Sequence, residues 1–193
     1  MYRRELIGHD NIPNLGVVIV VCNHVSFVDF LVVSGSLRRP ACFVMDHSIA
    51  KTPILRYLFK LGKAIPIAPA KEDANAKEEA FVRIAEELRA GEMVCIFPEG
   101  RITQTGEMNH FMLGLERAIG ETPVPVVPMA LYGLWGSMFS RKDGPAFKKV
   151  PRRFRARLIL NVGEPVPPAE VSAAMLETRV RALLKECEAR AEA

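Results

Sequence analysis

The sequence predicts an α/β fold, with a mostly parallel central sheet flanked by helices on both faces, in a single domain spanning residues 1–193. Short valine-rich runs alternate with longer stretches of helical periodicity, an alternation typical of this architecture. The runs are apolar throughout, as in strands buried on both faces. No composition break, internal repeat or low-complexity tract divides the chain, and its length is sufficient for one sizeable core.

Six strands are predicted from short apolar runs that end at turn residues. The first run is typical, because it is rich in valine, too short for a buried helix, and followed by Asn23. The predicted strands lie at residues 16–22, 42–45, 64–67, 93–97, 124–131 and 157–162.

Five helices are predicted between and after these strands, and most have start or stop signals. Thr52 and Pro53 supply an N-cap and a proline at the first helical position. Gly62, Gly91 and Gly120 each follow the last periodic residue of a helix. The predicted helices lie at about residues 26–37, 53–61, 73–90, 109–119 and 169–191.

Positive charge is concentrated in one segment. Residues 141–157 carry eight Lys or Arg against one acid, a net +7, while the rest of the chain has 18 bases and 21 acids, a net −3. Such a block indicates either a solvated loop or a surface for a polyanion. We expect an anionic membrane and no nucleic acid, because only Phe147 and Phe154 could stack on bases within the block.

The cysteines and the hydropathy indicate free thiols and no membrane span. Cys22 and Cys95 lie in predicted buried strands and no C-x-x-C pair occurs, which is typical of thiols in a reducing compartment. No continuous apolar run reaches the ~18 residues that a membrane span requires. We therefore expect membrane contact to be peripheral, on the cytoplasmic face, with the helix at 53–61 and Trp135 as apolar contributors.

Catalytic and binding residues are expected just after the strands, because ligands bind at the carboxyl edge of such sheets. His24 and Asp29 follow the first strand, so the carboxylate can reach one ring nitrogen and leave the other free as a general base. Ser26 does not lie in a G-x-S-x-G turn, so the nucleophile should come from the substrate. The spacing fits equally well a capping box, in which Asp29 only satisfies the start of a helix.

A second candidate segment, F-P-E-G-R-I-T at residues 97–103, follows the central predicted strand. Glu99 supplies an acid, Gly100 lets the backbone approach a ligand, and Arg101 can fork onto a phosphate. The alternative is an ordinary loop with a surface Glu–Arg pair.

Three segments together resemble the glycerolipid acyltransferase family in content, order and spacing. They are N-H-V-S-F-V-D at 23–29, F-P-E-G-R at 97–101 and V-V-P-M at 126–129, and the resemblance extends back to G-H-D-N-I-P at 8–13. The sequence departs from the common pattern of the family in two places. Residues 65–71 read I-P-I-A-P-A-K without the usual arginine, and residues 101–103 read R-I-T in place of T-R-S. In both places the chain resembles the 2-acylglycerophosphoethanolamine acyltransferase branch. Domains of that branch often occur fused to a transporter or an acyl-carrier-protein synthetase, which implies that this domain is part of a larger protein.

The resemblance implies transfer of a fatty acyl group to a free glycerol hydroxyl of a lysophospholipid. Acyl-acyl carrier protein or acyl-coenzyme A would be the co-substrate, with no other cofactor. His24 would be the base, Asp29 would orient it, and no acyl-enzyme would form. The substrate-binding residues implied are Asn23, Ser26, Lys71, Glu99, Gly100, Arg101, Thr103 and Pro128, of which Glu99, Gly100 and Arg101 would hold the head-group phosphate and the segment containing Pro128 would line the acyl or thioester site.

Two alternatives to this enzyme remain open. A catalytically silent lipid- or membrane-binding module would keep the fold and the basic surface, although it would not need the His24 and Asp29 pair. A metal-dependent esterase would add the His9-Asp10 and Asp46-His47 pairs to that site. No H-E-x-x-H spacing closes a ligand set, so we expect no metal.

Overall fold

The computed structural model describes residues 3–47, 63–68, 74–148 and 157–192. Within these ranges the chain forms a seven-stranded sheet with helices on both faces. The strands are β1 (Arg3–Ile7), β2 (Val18–Cys22), β3 (Ala41–Asp46), β4 (Ile65–Ile67), β5 (Met93–Ile96), β6 (Val126–Tyr132) and β7 (Arg157–Val162). The helices are α1 (Asp29–Ser34), α2 (Ala74–Arg89), α3 (Gly114–Glu121) and α4 (Ala173–Glu192), with 3-10 turns at His9–Asn11 and Pro168–Glu170.

The strand order is β1-β7-β6-β2-β5-β3-β4, and β2 to β6 all run in the same direction. The predicted α/β fold with a mostly parallel sheet is therefore confirmed. β7 and β1 are the exceptions, since β7 pairs antiparallel with β6 and parallel with β1, and both therefore run opposite to the other five strands. A parallel pairing of β6 and β7 would need a long crossover connection, which is usually a helix. The described part of the β6–β7 connection, residues 133–148, contains turns and no helix.

The first strand was not predicted from the sequence. β1 has the sequence RRELI, with two exposed arginines, and it lies at the edge of the sheet beside β7. An edge strand can carry charged residues because only one side of it is paired. Its sequence therefore lacks the apolar run that identified the other strands.

Three helices begin later than predicted. The one predicted from about residue 169 begins at Ala173, after the 3-10 turn at Pro168–Glu170. The helix predicted from residue 26 begins at Asp29, and the one predicted from residue 109 begins at Gly114. The backbone amides of Ser26 and Asn109, which precede the other two helices, donate to the buried carboxylates of Asp29 and Glu99. The predicted helix at 53–61 lies outside the described residues.

Both faces of the sheet are covered, as expected for strands that are apolar throughout. Ile19 and Val21 of β2 join a core cluster with residues of α2, α3 and α4, whereas Val18 and Val20 join a second cluster that includes Val33 of α1. Each fully buried aliphatic side chain contributes about 1.5–3 kcal/mol relative to an exposed one. The sheet is therefore a rigid base for the loops at its ends. No described helix is long and apolar enough to cross a membrane.

The common direction of β2 to β6 brings five strand ends to one edge of the sheet. β2 and β5 are direct neighbours, with Val21 opposite Ile96. The segments that follow them, starting at Asn23 and Phe97, therefore leave the sheet side by side.

Gly8, in the turn after β1, lies at the opposite edge of the sheet, because β1 and β7 run antiparallel to β6, and it tests how closely the chain is packed there. Its φ is +66°, and a Cβ atom there would lie 2.1 Å from the carbonyl oxygen of Val162. We expect Gly8→Ala to lower the free energy of unfolding by about 1–3 kcal/mol, measured by urea denaturation. Gly120→Ala is the control, because Gly120 lies inside α3 and a Cβ atom there would have no neighbour within 4 Å. This change should stabilise the fold by about 0.5–1 kcal/mol. Equal effects of the two changes would contradict the close contact at Gly8.

Candidate active site

His24 follows β2 and is oriented by two contacts of its ring. Nδ1 lies 2.8 Å from Oδ2 of Asp29, and the ring stacks on Phe97 with centroids 4.4 Å apart and planes 20° apart. The histidine side chain is 20% exposed, while that of Asp29 is completely buried. His24 lines a cavity, and Nε2 has no hydrogen-bond partner among the described residues. The arrangement leaves Nε2 available to accept a proton.

Asp29 accepts hydrogen bonds from the whole segment that precedes it. Besides His24, its donors are the backbone amides of Val25 at 2.7 Å and Ser26 at 2.9 Å and the hydroxyl of Ser26 at 2.5 Å. The bond from the Ser26 amide is the one a capping box would contain, but the residue at the N-cap position is Val28 and makes no side-chain cap. Asp29 thus shapes the loop and orients the imidazole together.

Glu99 is also turned inward. It is 3% exposed, and its Oε1 accepts the backbone N–H of His24 at 2.7 Å. Its Oε2 accepts the backbone N–H of Asn109 at 2.7 Å and the side-chain Nδ2–H of Asn109 at 2.8 Å. Burial raises the pKa of Glu99, while the hydrogen bonds from His24 and Asn109 partly offset that rise.

Asn23, Ser26 and Thr103 are buried and bind the protein itself. The Asn23 side chain exchanges two hydrogen bonds with the backbone of Leu131, at 3.0 and 2.7 Å. The Thr103 amide donates to the carbonyl of His24 at 3.0 Å, and its hydroxyl accepts the amide of Gly106 at 3.1 Å. These side chains hold the loops around His24 in place.

Gly100 and Arg101 differ from those residues in that both line the cavity. The φ of Gly100 is +66°, and a Cβ atom there would meet the sulfur of Met112 at 2.5 Å. Arg101 is exposed, and the described part of the chain gives it no hydrogen-bond or ion-pair partner. Its guanidinium is therefore available to an anionic ligand.

The cavity has a volume of about 640 Å³ and extends from His24 into the apolar interior. Phe81 and Ile84 of α2, each less than 5% exposed, are among its inner walls. Its exposed end carries polar and charged side chains, which are Asp46, Lys77, Arg101, Gln104 and Arg141. A cavity of this shape can hold an alkyl chain inside and an anionic group at the entrance.

A family model described as Acyltransferase matches residues 3–132, a range that contains His24, Asp29 and the 97–103 segment. The chain belongs to the Acyltransferase family. A chloroplastic protein of Brassica napus, named 1-acyl-sn-glycerol-3-phosphate acyltransferase, is 27% identical over 144 residues, covering 74% of this chain and 41% of its own length. A Borreliella burgdorferi protein of the same name is 26% identical over 126 residues, covering 65% and 49%.

The fold of this acyltransferase-family chain also matches a crystal structure. That structure is the 1-acyl-sn-glycerophosphate acyltransferase PlsC from Thermotoga maritima, with a TM-score of 0.75 and 22% identity, covering 97% of this chain and 73% of that one. At this identity the match establishes the fold. The chain spans less than half the length of the Brassica and Borreliella relatives.

Among the implied substrate-binding residues Gly100 and Arg101 line the cavity, Lys71 lies outside the described residues, and the other five do not line it; these are Asn23, Ser26, Glu99, Thr103 and Pro128. Pro128 is buried in β6, and its carbonyl accepts the amide of Gly163 at 2.9 Å, so the expectation that its segment lines the acyl or thioester site is not supported. The charge at the cavity entrance includes Lys77 of α2 and Arg141 after β6. Lys77 was not identified from the sequence, because the side of α2 that is directed toward the cavity depends on how α2 packs against the sheet.

The histidines considered for a metal site are separated from His24. His9 Nε2 lies 3.1 Å from the carbonyl of Ser36, and His47 Nδ1 lies 3.8 Å from Asp46. Among the described residues no three His, Cys, Asp or Glu side chains form a group that could hold a metal ion. The absence of a metal cofactor stays a prediction.

Asp29→Asn tests the role of this carboxylate in the loop. An amide is neutral and has one acceptor oxygen, so the charge-assisted bonds to Asp29 are weakened. Its N–H groups must also face either the backbone amides of Val25 and Ser26, which cannot accept, or the Ser26 hydroxyl, which would have to stop donating. We expect the free energy of unfolding to fall by about 1–3 kcal/mol, measured by urea denaturation. Asp10→Asn, on a side chain that is 97% exposed, should change it by less than about 0.5 kcal/mol. A similar small change in both variants would contradict this role.

Proposed function

We propose that this chain transfers an acyl group from an acyl thioester to a free glycerol hydroxyl of a lysophospholipid, with His24 as general base. The observation that carries the proposal is the His24–Asp29 pair at one end of a largely apolar cavity. The names of the relatives, which specify 1-acyl-sn-glycerol-3-phosphate, support a phosphate-bearing acceptor.

In the proposed reaction, Nε2 of His24 removes the proton from the acceptor hydroxyl as its oxygen attacks the thioester carbonyl. The tetrahedral intermediate then expels the thiolate, which takes the proton from the imidazolium. Asp29 keeps Nδ1 protonated and stabilises the charged ring during this step. The products are the diacyl lipid and the free thiol, and the enzyme returns to its starting state.

Direct transfer, without an acyl-enzyme, is supported by the absence of a suitable nucleophile at the described cavity wall. Ser26 is fully buried and its hydroxyl donates to Asp29 at 2.5 Å. The four cysteines are free but buried, and none lines the cavity. Burial raises the pKa of Cys22 well above its usual range, which suppresses the thiolate.

The two ends of the cavity fit the two parts of the substrates. Its apolar interior, between Phe30, Phe81 and Ile84, suits a fatty acyl chain. Lys77, Arg101 and Arg141 place three positive charges near the entrance, and Asp46 is the single acid among the lining residues that the structure describes. We assign the head-group phosphate to this entrance, with Arg101 as its principal ligand. Acyl carrier protein and coenzyme A, the two proposed carriers of the thioester, are both anionic and suit a basic entrance.

His24→Gln should abolish transfer while leaving the fold intact. Orientation and general-base catalysis are lost together, so we expect the rate to fall by about 10³-fold or more. The measurement is acyl transfer from a panel of thioesters to lysophosphatidate and lysophosphatidylethanolamine in the presence of liposomes. His110→Gln, at a ring that is 94% exposed, is the control and should retain full activity.

The outcomes of this experiment separate the candidate functions. If folded wild-type protein transfers no acyl group to any acceptor, the proposal of an enzyme is wrong and a lipid-binding module is the alternative that is left. Activity that disappears with a chelator and returns with a metal would favour the esterase alternative.

We further propose that the cavity entrance faces an anionic membrane, at the cytoplasmic face. Phe147 is 48% exposed and packs against Phe27 and Phe139, with ring centroids 5.9 and 5.6 Å apart. Arg141 lies over the Phe27 ring, at 5.5 Å from its centroid, and both residues line the cavity. Leu113, between the lining residues Met112 and Gly114, is 71% exposed. Exposed apolar residues beside cations are typical of a surface that inserts among anionic head groups.

The double change Leu113→Ser and Phe147→Ser should weaken binding to phosphatidylglycerol vesicles by about tenfold or more, measured by co-sedimentation. Leu15→Ser is the matched control, because Leu15 is 86% exposed and precedes β2, at the opposite edge of the sheet. The double variant should still acylate a short-chain, water-soluble lysophosphatidate at the wild-type rate. Equal loss of vesicle binding in the Leu15 variant would overturn the assignment of this surface.

A further inference from the structure

We infer that Glu99 is a positioning residue, which orients His24 through its backbone, and that it does not bind the substrate phosphate. The inference rests on the proposed role of His24 as the base. The family resemblance implies a different role for Glu99, in which it would bind the head-group phosphate together with Gly100 and Arg101. The two roles predict different kinetic effects.

Both carboxylate oxygens of Glu99 are already occupied by N–H groups of the protein. Oε1 accepts from His24 at 2.7 Å, and Oε2 accepts two bonds from Asn109 at 2.7 and 2.8 Å. The side chain is 3% exposed and does not line the cavity, although Gly100 and Arg101, its neighbours in sequence, do. A carboxylate facing a phosphate would also repel it. The geometry therefore separates Glu99 from Arg101 in function.

Glu99 connects three segments that have no helix or strand to hold them. It lies after β5, His24 lies after β2, and Asn109 lies before α3. His24 is thereby fixed on several sides, with its N–H bonded to Glu99, its carbonyl to the amide of Thr103 and its Nδ1 to Asp29. Phe97, two residues before Glu99, stacks on the imidazole. Loss of the Glu99 bond would free the backbone from which the imidazole projects.

Glu99→Gln is the isosteric test. Its amide has one acceptor oxygen, so at least one of the N–H groups of His24 and Asn109 would face a donor. Because small displacements of a catalytic group are costly, we expect kcat to fall by about 100-fold with KM for lysophosphatidate changed less than about threefold. The same fall should occur with monoacylglycerol, an acceptor without phosphate, measured relative to the wild-type rate on that acceptor.

Arg101→Gln is the comparison variant for the phosphate role. It should raise KM for lysophosphatidate by about 10- to 100-fold and leave KM for monoacylglycerol unchanged. If Glu99→Gln gives the Arg101 pattern, with raised KM for lysophosphatidate and near-normal kcat, the positioning role is wrong. Asn109→Ala is a milder variant that removes one of the three donors, and should lower kcat by less than about tenfold without changing KM.

NMR of the His24 backbone and ring tests the inference without using activity. Hydrogen exchange of the His24 amide should be at least about tenfold faster in Glu99→Ala, which removes both acceptor oxygens, than in wild type, and unchanged in Arg101→Gln. Unchanged exchange of this amide in a folded Glu99→Ala protein would overturn the inference. If wild-type protein transfers no acyl group to any acceptor, the proposed function fails, while the exchange result still decides whether Glu99 fixes His24.

Discussion

Two buried carboxylates determine the conformation of the loop after β2. Asp29 accepts hydrogen bonds from His24, Val25 and Ser26, and Glu99 accepts the N–H of His24 from the other direction. A carboxylate in such a place is costly unless its lone pairs are occupied by donors. Here the donors come from the loop itself, so the burial of the charges and the shape of the loop depend on each other. His24 lies between the two carboxylates, and its orientation follows from both.

The parallel sheet places the loop after β2 next to the loop after β5, so His24 and Glu99 meet where these strands end. β2 and β5 are adjacent and in register, so the segments beginning at Asn23 and Phe97 emerge next to each other. Asn23 then ties the end of β2 to Leu131 of β6, the neighbour on the other side. Residues that are about 75 to 110 positions apart in the sequence are therefore close enough to form hydrogen bonds in the site. The rigid core under these strands limits how far the imidazole can move.

The sequence predicts the parts of this structure that depend on local pattern. The alternation of apolar strands and periodic helices identifies the fold. The five-residue spacing of His24 and Asp29 after a strand allows their contact but fits a capping box equally well. β1 could not be found in this way, because RRELI has no apolar run. The partners of Glu99 could not be predicted either, since Asn109 lies in an irregular segment ten residues away and the motif alone does not say which way the carboxylate points. Lys77 reaches the cavity only because of the way α2 packs on the sheet.

The charge on Glu99 has a thermodynamic consequence that bears on its role. Burial raises its pKa, so the folded state binds a proton at this site more readily than the unfolded chain does. By linkage, this group favours folding at low pH, and that contribution is lost as the pH rises from the unfolded pKa through the raised folded one. Where Glu99 is ionised in the folded protein, its own contribution to stability is therefore less favourable than at low pH. Three converging N–H donors, one of them on His24, require an acceptor with two oxygens, which a neutral amide does not offer. The carboxylate at this buried position therefore holds the backbone of His24 and both donors of Asn109 together.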